Sequence, residues 1–440
     1  MNKYLSILFL FALAALPARA GEPLTLRAAL AEAERSGFDL AIARAERDAA
    51  DADANASLSV FLPNIRLSSM ATVTNDPLNV FGMKLRERRV TPADFNPALL
   101  NEPDRYTQYT TSFDVQQPII NLDGFLGRAA AIDGARAMAM KEERTRRYVA
   151  YRVKLAYFGL VVARESHSVV TASLEAAEAN AAQTRQFLAE GLINKSDELF
   201  AEMRLLDVRS RQAEAAGAIR SAENALRTLL GRTDTSDLVT SDSLGLPDSF
   251  PSPVPVEEVN ERRSDMRAMG YGVDAARGML RMQQLKLLPS LNAFGSYSLN
   301  DQKMLGRQGS GWTIGAMLQW NILPGFGTIA GIQKASAALE RAESELAAQR
   351  VRNRGDLDDA YHALETARTR LALARESLHQ SEENARVLRE RYATGIGKTT
   401  DLLNAEAALA DARLGVARTL YACNAALFTI ELLTEPSYSR

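Results

Sequence analysis

Leu357, Leu364, Leu371, Leu378, Ala385 and Tyr392 stand seven residues apart, inside a stretch from Gly327 to Leu433 that contains no proline. Ala360, Ala367, Ala374, Ser381 and Leu388 supply a second position of the same repeat. The pattern breaks at Thr394-Gly395-Ile396-Gly397. It then resumes with Leu402, Leu409, Val416, Cys423 and Ile430, and with Ala405, Ala412, Thr419, Ala426 and Leu433 three residues on. A sustained seven-residue apolar repeat makes an under-wound, left-handed coiled coil, and small residues at one of its two positions let the helices approach closely. The stretch therefore predicts a helical hairpin with long arms, about 327–393 and 399–433. The first arm would be roughly 100 Å long at 1.5 Å per residue. A compact soluble core has no use for a helix of that length.

Working outward, the preceding segment changes period. Leu291, Ala293, Gly295, Tyr297 and Leu299 alternate with Ser290, Asn292, Ser296, Ser298 and Asn300, with Phe294 as the one misfit. Trp312, Ile314, Ala316, Leu318 and Trp320 alternate with Gly311, Thr313, Gly315, Gln319 and Asn321. Period two is the signature of strands, here about 290–300 and 311–322. A helix from about Glu257 to Leu285 comes before them. The first half of the chain has the same order. A helix from Leu24 to about Leu58, opened by Thr25 as N-cap, leads to strands about 64–75 and 106–117. Between them, Asn75–Arg105 carries Pro77, Pro92, Pro97 and Pro103 and reads as a long loop; Pro118 closes the second strand. Long helices about 125–190 and 196–230 follow, with Tyr148, Leu155, Val162, Val169 and Ala176 as the seam of the first. Leu205, Ile219 and Leu226 with Val208, Ala215, Ala222 and Leu229 are the seam of the second.

The halves align residue by residue. Phe61-Leu62-Pro63-Asn64-Ile65 matches Leu287-Leu288-Pro289-Ser290-Leu291. Leu188-Ala189-Glu190-Gly191-Leu192 with Asp197 matches Tyr392-Ala393-Thr394-Gly395-Ile396 with Asp401. The chain is a duplicated helix–strand–strand–helix–helix unit, divided as 21–246 and 247–440 by a Pro- and Ser-rich connector.

Ahead of it, residues 1–20 read as a signal peptide: Lys3, the apolar run Tyr4–Ala15, and Ala18-Arg19-Ala20 as cleavage site. No cysteine adjoins that site to take a lipid. The single cysteine, Cys423, falls on a helix seam and is expected to be a buried apolar residue. After Gly21 no apolar run is expected to cross a membrane as a helix. Each strand, however, has about the ten residues of a tilted membrane-crossing strand. Trp312 and Trp320 sit on one apolar face, where interfacial aromatics belong. Four strands cannot close a barrel, and an open edge in hydrocarbon leaves backbone groups unpaired at several kcal/mol each. The missing strands must come from other copies of the chain. These residues alone thus point to an oligomeric outer-membrane pore.

Other chemistries find little support. The 52 basic and 54 acidic residues are interspersed, which argues against a nucleic-acid partner. His167, His362 and His379 all lie in heptad helices, with no metal-ligand spacing, glycine-rich phosphate loop or nucleophile elbow, so no enzyme activity, metal or cofactor is expected. The basic run Lys84-Leu85-Arg86-Glu87-Arg88-Arg89 reads as a solvated part of the first outer loop. The rival class is a periplasmic coiled-coil scaffold or adaptor without a pore, which would not need the paired alternating strands.

The chain resembles the TolC family of outer-membrane efflux proteins over essentially all of its length after Ala20. The residues that carry the resemblance are Leu24-Thr25-Leu26 with Ala28-Ala29-Leu30, both Leu-Pro junctions, Gln117-Pro118-Ile119, Arg263-Ser264-Asp265, and Tyr392 to Gly395 through Asp401-Leu402-Leu403. The resemblance implies a homotrimer, mainly α with a β-barrel part. It would form a twelve-stranded outer-membrane barrel continued by a twelve-helix barrel across the periplasm of a Gram-negative cell. It implies a passive exit duct of a tripartite efflux pump or type I secretion system, docking onto a periplasmic adaptor and an inner-membrane pump. Carried over by position, Tyr392 matches a gate tyrosine, Asp197 its acidic partner, and Asp401 an acid that rings the closed tunnel mouth. Gly191, Leu192, Gly395 and Ile396 fall at the adaptor-docking tips. Two departures stand out: Asn404 replaces a second acid, and Gly397 stands where some relatives carry a basic tether.

Overall fold

The computed structural model describes residues 23–247, 249–322, 325–394 and 396–436. The expected signal peptide and the tip residue Gly395 lie outside these. The chain divides into two compact units. One takes the chain up to Ala43, Glu143–Arg263 and the part from Arg352 onward; the other takes Arg44–Glu142 and Ser264–Val351.

The second unit holds one antiparallel sheet in the order β1 (Asn64–Thr74), β2 (Tyr106–Ile120), β3 (Ser290–Asp301), β4 (Gly309–Gln319). Its register puts like with like. Leu67 pairs with Phe113, Phe113 with Tyr297 and Tyr297 with Trp312, all on one face. The other face carries Ser68 against Ser112, Ser112 against Ser298, and Ser298 against Gly311. Polar groups on that face bond one another: Ser296 Oγ donates to Asp114 at 2.6 Å and Ser112 Oγ at 2.8 Å. The apolar face is bare. Leu67, Trp312 and Ile314 are 73%, 73% and 76% exposed.

Phe294, the misfit in the alternation, points to the polar face and lies across Gly315. A Cβ at Gly315 would stand 2.7 Å from the Phe294 ring, so a large ring covers a residue without a side chain. Trp320 stands one residue past β4, and its indole N–H donates to the Leu287 carbonyl at 3.0 Å.

Two expectations about proline need correcting. β2 does not end at Pro118 but runs on to Ile120 through a register shift, since a residue without an N–H is tolerated at a bulge. Nor is 75–105 a structureless loop. It contains α3 (Pro77–Arg86), a 3-10 turn (Pro92–Phe95) and α4 (Pro97–Asn101). Pro77, Pro92 and Pro97 each open one of these, behind Asp76, Thr91 and Asn96 as N-caps. At the first helical position the missing N–H costs nothing and the fixed φ suits the helix. The Lys84–Arg89 run therefore begins on a helix, and Lys84 Nζ pairs with Asp94 at 2.7 Å.

The first unit contains α1 (Leu26–Ser36), which Thr25 caps by accepting from the Ala28 N–H at 3.1 Å. The expected single helix from Leu24 is broken at Gly37, after which α2 (Phe38–Ala56) begins. The second repeat is broken likewise at Arg263, between α7 (Val256–Arg262) and α8 (Ser264–Leu285). Long helices α5 (Leu122–Ala189), α6 (Lys195–Leu230), α9 (Phe326–Ala393) and α10 (Thr399–Thr434) complete the chain.

The α9–α10 seam is made of the heptad residues: Ala360, Leu364, Ala367 and Leu371 form one buried cluster with Cys423, Ala426 and Ile430. In α6, Leu205, Val208, Leu226 and Leu229 are buried. In α5 the seam is displaced by one residue from the expected register. Val149, Val153, Val170 and Ala177 are buried, whereas Tyr148 is 47% exposed. α5 packs on α1 and connector residues as well as on α6, so it carries more than one apolar stripe and its period alone does not choose among them. The expectation that no later segment suits a helical membrane crossing also fails for α10. By length and composition alone it is apolar enough to cross a membrane. Alanine and leucine on its flanking faces as well as its seam raise its mean hydropathy.

Tyr157 anchors the main cluster. It is fully buried, and its hydroxyl oxygen lies 2.6 Å from the Leu24 carbonyl oxygen and 2.7 Å from Asp242 Oδ2, its one proton serving one acceptor at a time. Burial first, and then the Asp242 carboxylate, pushes the phenol above its ordinary range.

Candidate functional site

The two helical hairpins turn in the same way. α5 ends where Gly191 adopts φ +75°, and the Leu192 N–H reaches back to the Phe187 carbonyl at 2.8 Å. This five-residue return in a left-handed glycine turn is the Schellman closure of a helix. At the equivalent place the Ile396 N–H reaches the Arg391 carbonyl at 3.0 Å. The next helices start alike as well. The Asp197 N–H donates to Asn194 and the Asp401 N–H to Lys398, both carbonyl acceptors. Asp197 and Asp401 thus occupy the first turns of α6 and α10, where an acid suits the helix dipole.

Ion pairs repeat at the same offset, and reading the seams alone had missed them. Arg185 pairs with Glu202 across the first hairpin, and Arg389 with Glu406 across the second. One level further along, Arg209–Glu178 at 3.0 Å matches Arg413–Glu382 at 3.3 Å. These are exposed pairs, each contributing at most about 1 kcal/mol to stability. Their value is in fixing the register of two helices whose small seam residues would otherwise slide.

Ion pairs also join the hairpins: Lys154 on α5 meets Glu431 on α10, and a second link lies on α6. Arg211 Nη1 on α6 bonds Asp411 on α10 at 2.8 Å, while its Nε lies 3.3 Å from Asp207. The hydrogen bond to Asp411 holds this guanidinium above its ordinary range. Asp207 and Asp411 are repeat equivalents, but the equivalent of Arg211 is Gly415.

The expected gate residues divide. Tyr392 and Asp197 are both half-buried, but among the described residues no hydrogen bond joins the hydroxyl to the carboxylate. The Tyr392 ring instead packs at 6.2 Å, tilted 48°, against the Phe187 ring. Asp401 is exposed, as are Gly191, Leu192 and Ile396 at the tips. Gly397 leaves no room for a basic tether: a Cβ there would stand 2.9 Å from the Tyr392 nitrogen and 3.1 Å from the Arg391 carbonyl carbon. Among the described residues no group of His, Cys, Asp and Glu is arranged to hold a metal ion, and Cys423 is a free, fully buried thiol.

With this geometry in place, the sequence model of the outer membrane efflux protein family matches residues 29–232 and 256–434, most of the chain. The chain belongs to the outer membrane efflux protein family. The two matched segments flank the connector between the repeats. Among relatives, Protein CyaE of Bordetella pertussis is 24% identical over 264 residues, a match spanning 59% of this chain and 56% of that protein. Among solved structures, the CmeC outer membrane channel of Campylobacter jejuni superposes with a TM-score of 0.80 at 17% identity, covering 93% of this chain and 85% of the other. The outer membrane protein VceC of Vibrio cholerae gives 0.75 at 17%, covering 93% and 96%. The open state of the Neisseria gonorrhoeae MtrE outer membrane channel gives 0.75 at 18%, covering 93% and 88%. The fold of this outer membrane efflux family member is therefore that of the outer-membrane channels.

Proposed function

We propose that three copies of the chain form the outer-membrane exit duct of a tripartite efflux pump or type I secretion system. The duct passively conducts cargo delivered by an inner-membrane pump through a periplasmic adaptor, and performs no catalysis of its own. Residues 1–20 act as the export signal, and 21–246 and 247–440 are the two repeats. The observation that carries this reading is the four-stranded sheet. Its edges, β1 and β4, each have a partner on one side only, and its bare apolar face holds Leu67, Trp312 and Ile314. Edges in lipid must be paired, and the cheapest partners are the complementary edges of identical copies. A soluble periplasmic scaffold would leave the same face in water. Detergent-purified protein should have the mass of three chains and conduct in planar bilayers. A stable, non-conducting monomer defeats the reading.

The hairpin tips Gly191, Leu192, Gly395 and Ile396 are the proposed adaptor contacts, and Trp312 and Trp320 the interfacial anchors. Tyr392, Asp197 and Asp401 are the proposed mouth residues. The Tyr392–Phe187 contact supports a gate that closes by ring packing, with Asp197 available to a neighbouring helix. Three copies of exposed Asp401 would focus a negative potential on the axis, and such rings select cations. With Asn404 neutral the ring has one layer. Asp401→Ala should therefore lose most of the block by divalent ions added on the periplasmic side, at unchanged trimer yield. Full block in Asp401→Ala would move the ring elsewhere.

A further inference from the structure

Helix α3 stands on one particular side of the sheet. Val80 and Met83 are its buried residues. At its end, the fully buried Glu87 accepts from the Tyr106 hydroxyl at 2.5 Å and from Gln108 Nε2 at 3.2 Å. Gln108 Nε2 also lies 3.2 Å from the Met83 carbonyl. Gly309 touches the same place from β4: a Cβ there would stand 1.9 Å from the Arg86 carbonyl oxygen. The register decides which face this is. Gln108 lies opposite Thr72, Thr110 opposite Asn300, and Asn300 opposite Gly309. All of these belong to the polar face with Ser112, Asp114 and Ser298, away from Leu67, Trp312 and Ile314.

Chain connectivity decides which end it is. β1 leads into 75–105 and β3 into 302–308, whereas the opposite strand ends lead to α2, α5, α8 and α9. α3 therefore covers the polar face at the end of the sheet away from the helices. The segment is braced there. Arg89 Nη1 bonds Gln302 at 2.6 Å, Lys84 pairs with Asp94, and the Phe81 and Phe95 rings meet edge-on at 5.8 Å. A carboxylate as deeply buried as that of Glu87 is tolerated only when its bonds are made, and those bonds exist only with the helix docked.

We propose that α3 is a size-selecting constriction inside the outer mouth of the duct. The proposal rests on the trimeric-barrel reading: in a closed barrel the apolar face meets lipid and the polar face lines the lumen. A helix on the polar face is then inside the barrel, and three copies narrow the exit. The side of α3 left free carries Leu78 and Leu85, seven residues apart and 82% and 60% exposed. Three such pairs around the axis make an apolar collar at the exit, and apolar collars restrict passage by dewetting as well as by width. The duct would thus have a selective element at its outer end, independent of the helical mouth.

Cysteine labelling from outside intact cells tests this without passage through the helical mouth. Thr313→Cys lies exposed on the polar face beyond α3, Ile314→Cys lies on the apolar face, and native Cys423 is fully buried. A small membrane-impermeant maleimide should label Thr313→Cys readily, and a polymer-tethered maleimide roughly tenfold more slowly. Two separate changes should abolish that difference: Gly309→Val, which cannot coexist with docked α3, and replacement of residues 77–101 by a flexible Gly/Ser linker. If the polymer reagent reacts equally slowly with and without α3 while Ile314→Cys stays protected, the barrel stands and the constriction is refuted. If Thr313→Cys and Ile314→Cys label alike in every background, there is no barrel and the constriction falls with it.

Discussion

Ile314→Arg is expected to abolish outer-membrane assembly, while Thr313→Arg, one residue away, leaves it nearly intact. Ile314 sits midway along β4, 76% exposed, and faces the same way as Trp312 and Leu318. An arginine on the lipid face of a barrel at mid-depth costs about 2–4 kcal/mol per copy. Three copies in one closed barrel cost about 10 kcal/mol, comparable to the whole stability of a typical domain at about 5–15 kcal/mol. Thr313 points to the polar face and pairs with Ser296, where an arginine remains in water. The yield of assembled protein in the outer-membrane fraction checks both variants. Wild-type yield from Ile314→Arg would mean that this face does not meet lipid, and the duct reading would fail with it.

The sheet and the hairpins were legible because each is set by a period, and a period survives in sequence whatever its neighbours are. The strand alternation needs only a face for Leu67 and Phe113 to share, and the α9–α10 seam only the heptad of Leu364, Leu371, Cys423 and Ile430. What the period does not set was misread. In α5 several stripes are apolar because several neighbours must be satisfied, and the expected seam runs one residue away from the buried Val149, Val170 and Ala177. Prolines in 75–105 read as breakers in the sequence, although behind Asp76, Thr91 and Asn96 they open α3, a 3-10 turn and α4. The caps were visible, and weighing them would have found α3.

The candidate site divides along the same line. Helix starts at Asp197 and Asp401 and the turn at Gly191 follow from local chemistry and stand where the repeat puts them. The partner of Tyr392 depends on how α5 and α9 meet at their ends, a matter of ångströms, and the ring found is Phe187. The duplicated ion pairs Arg185–Glu202 and Arg389–Glu406 could have been found by aligning charges as well as apolar residues at the repeat offset. Arg211 has no counterpart at Gly415, so this link exists once per chain. A perfect repeat would have carried it twice.

Gly231→Ala should be the most damaging small substitution in the helical part. Gly231 caps α6 at φ +69°, and the Arg232 N–H returns to the Arg227 carbonyl at 3.0 Å. An alanine in the left-handed region costs about 1–2 kcal/mol. Here its Cβ would also stand 2.3 Å from the Ser36 carbonyl oxygen at the end of α1. A backbone oxygen cannot swing aside as a long side chain could, so α1 and α6 must separate, at a further cost of about 1–3 kcal/mol. Their separation strains neighbouring contacts too. Leu229 and Leu230 belong to the buried cluster around Tyr157, and Arg232 holds Glu32 on α1 through two bonds of 2.6 and 2.7 Å. A combined loss of about 3 kcal/mol in a local opening raises the open population about a hundredfold. Trypsin should then cut at Arg227 and Arg232 faster by a similar factor in purified assembled protein. Gly217→Ala, within α6 and with no neighbouring atom within 4 Å of the added Cβ, should instead stabilise the helix by up to about 1 kcal/mol and leave the cleavage rate unchanged. Equal cleavage of wild type and Gly231→Ala would show that α1 and α6 meet there without needing a glycine.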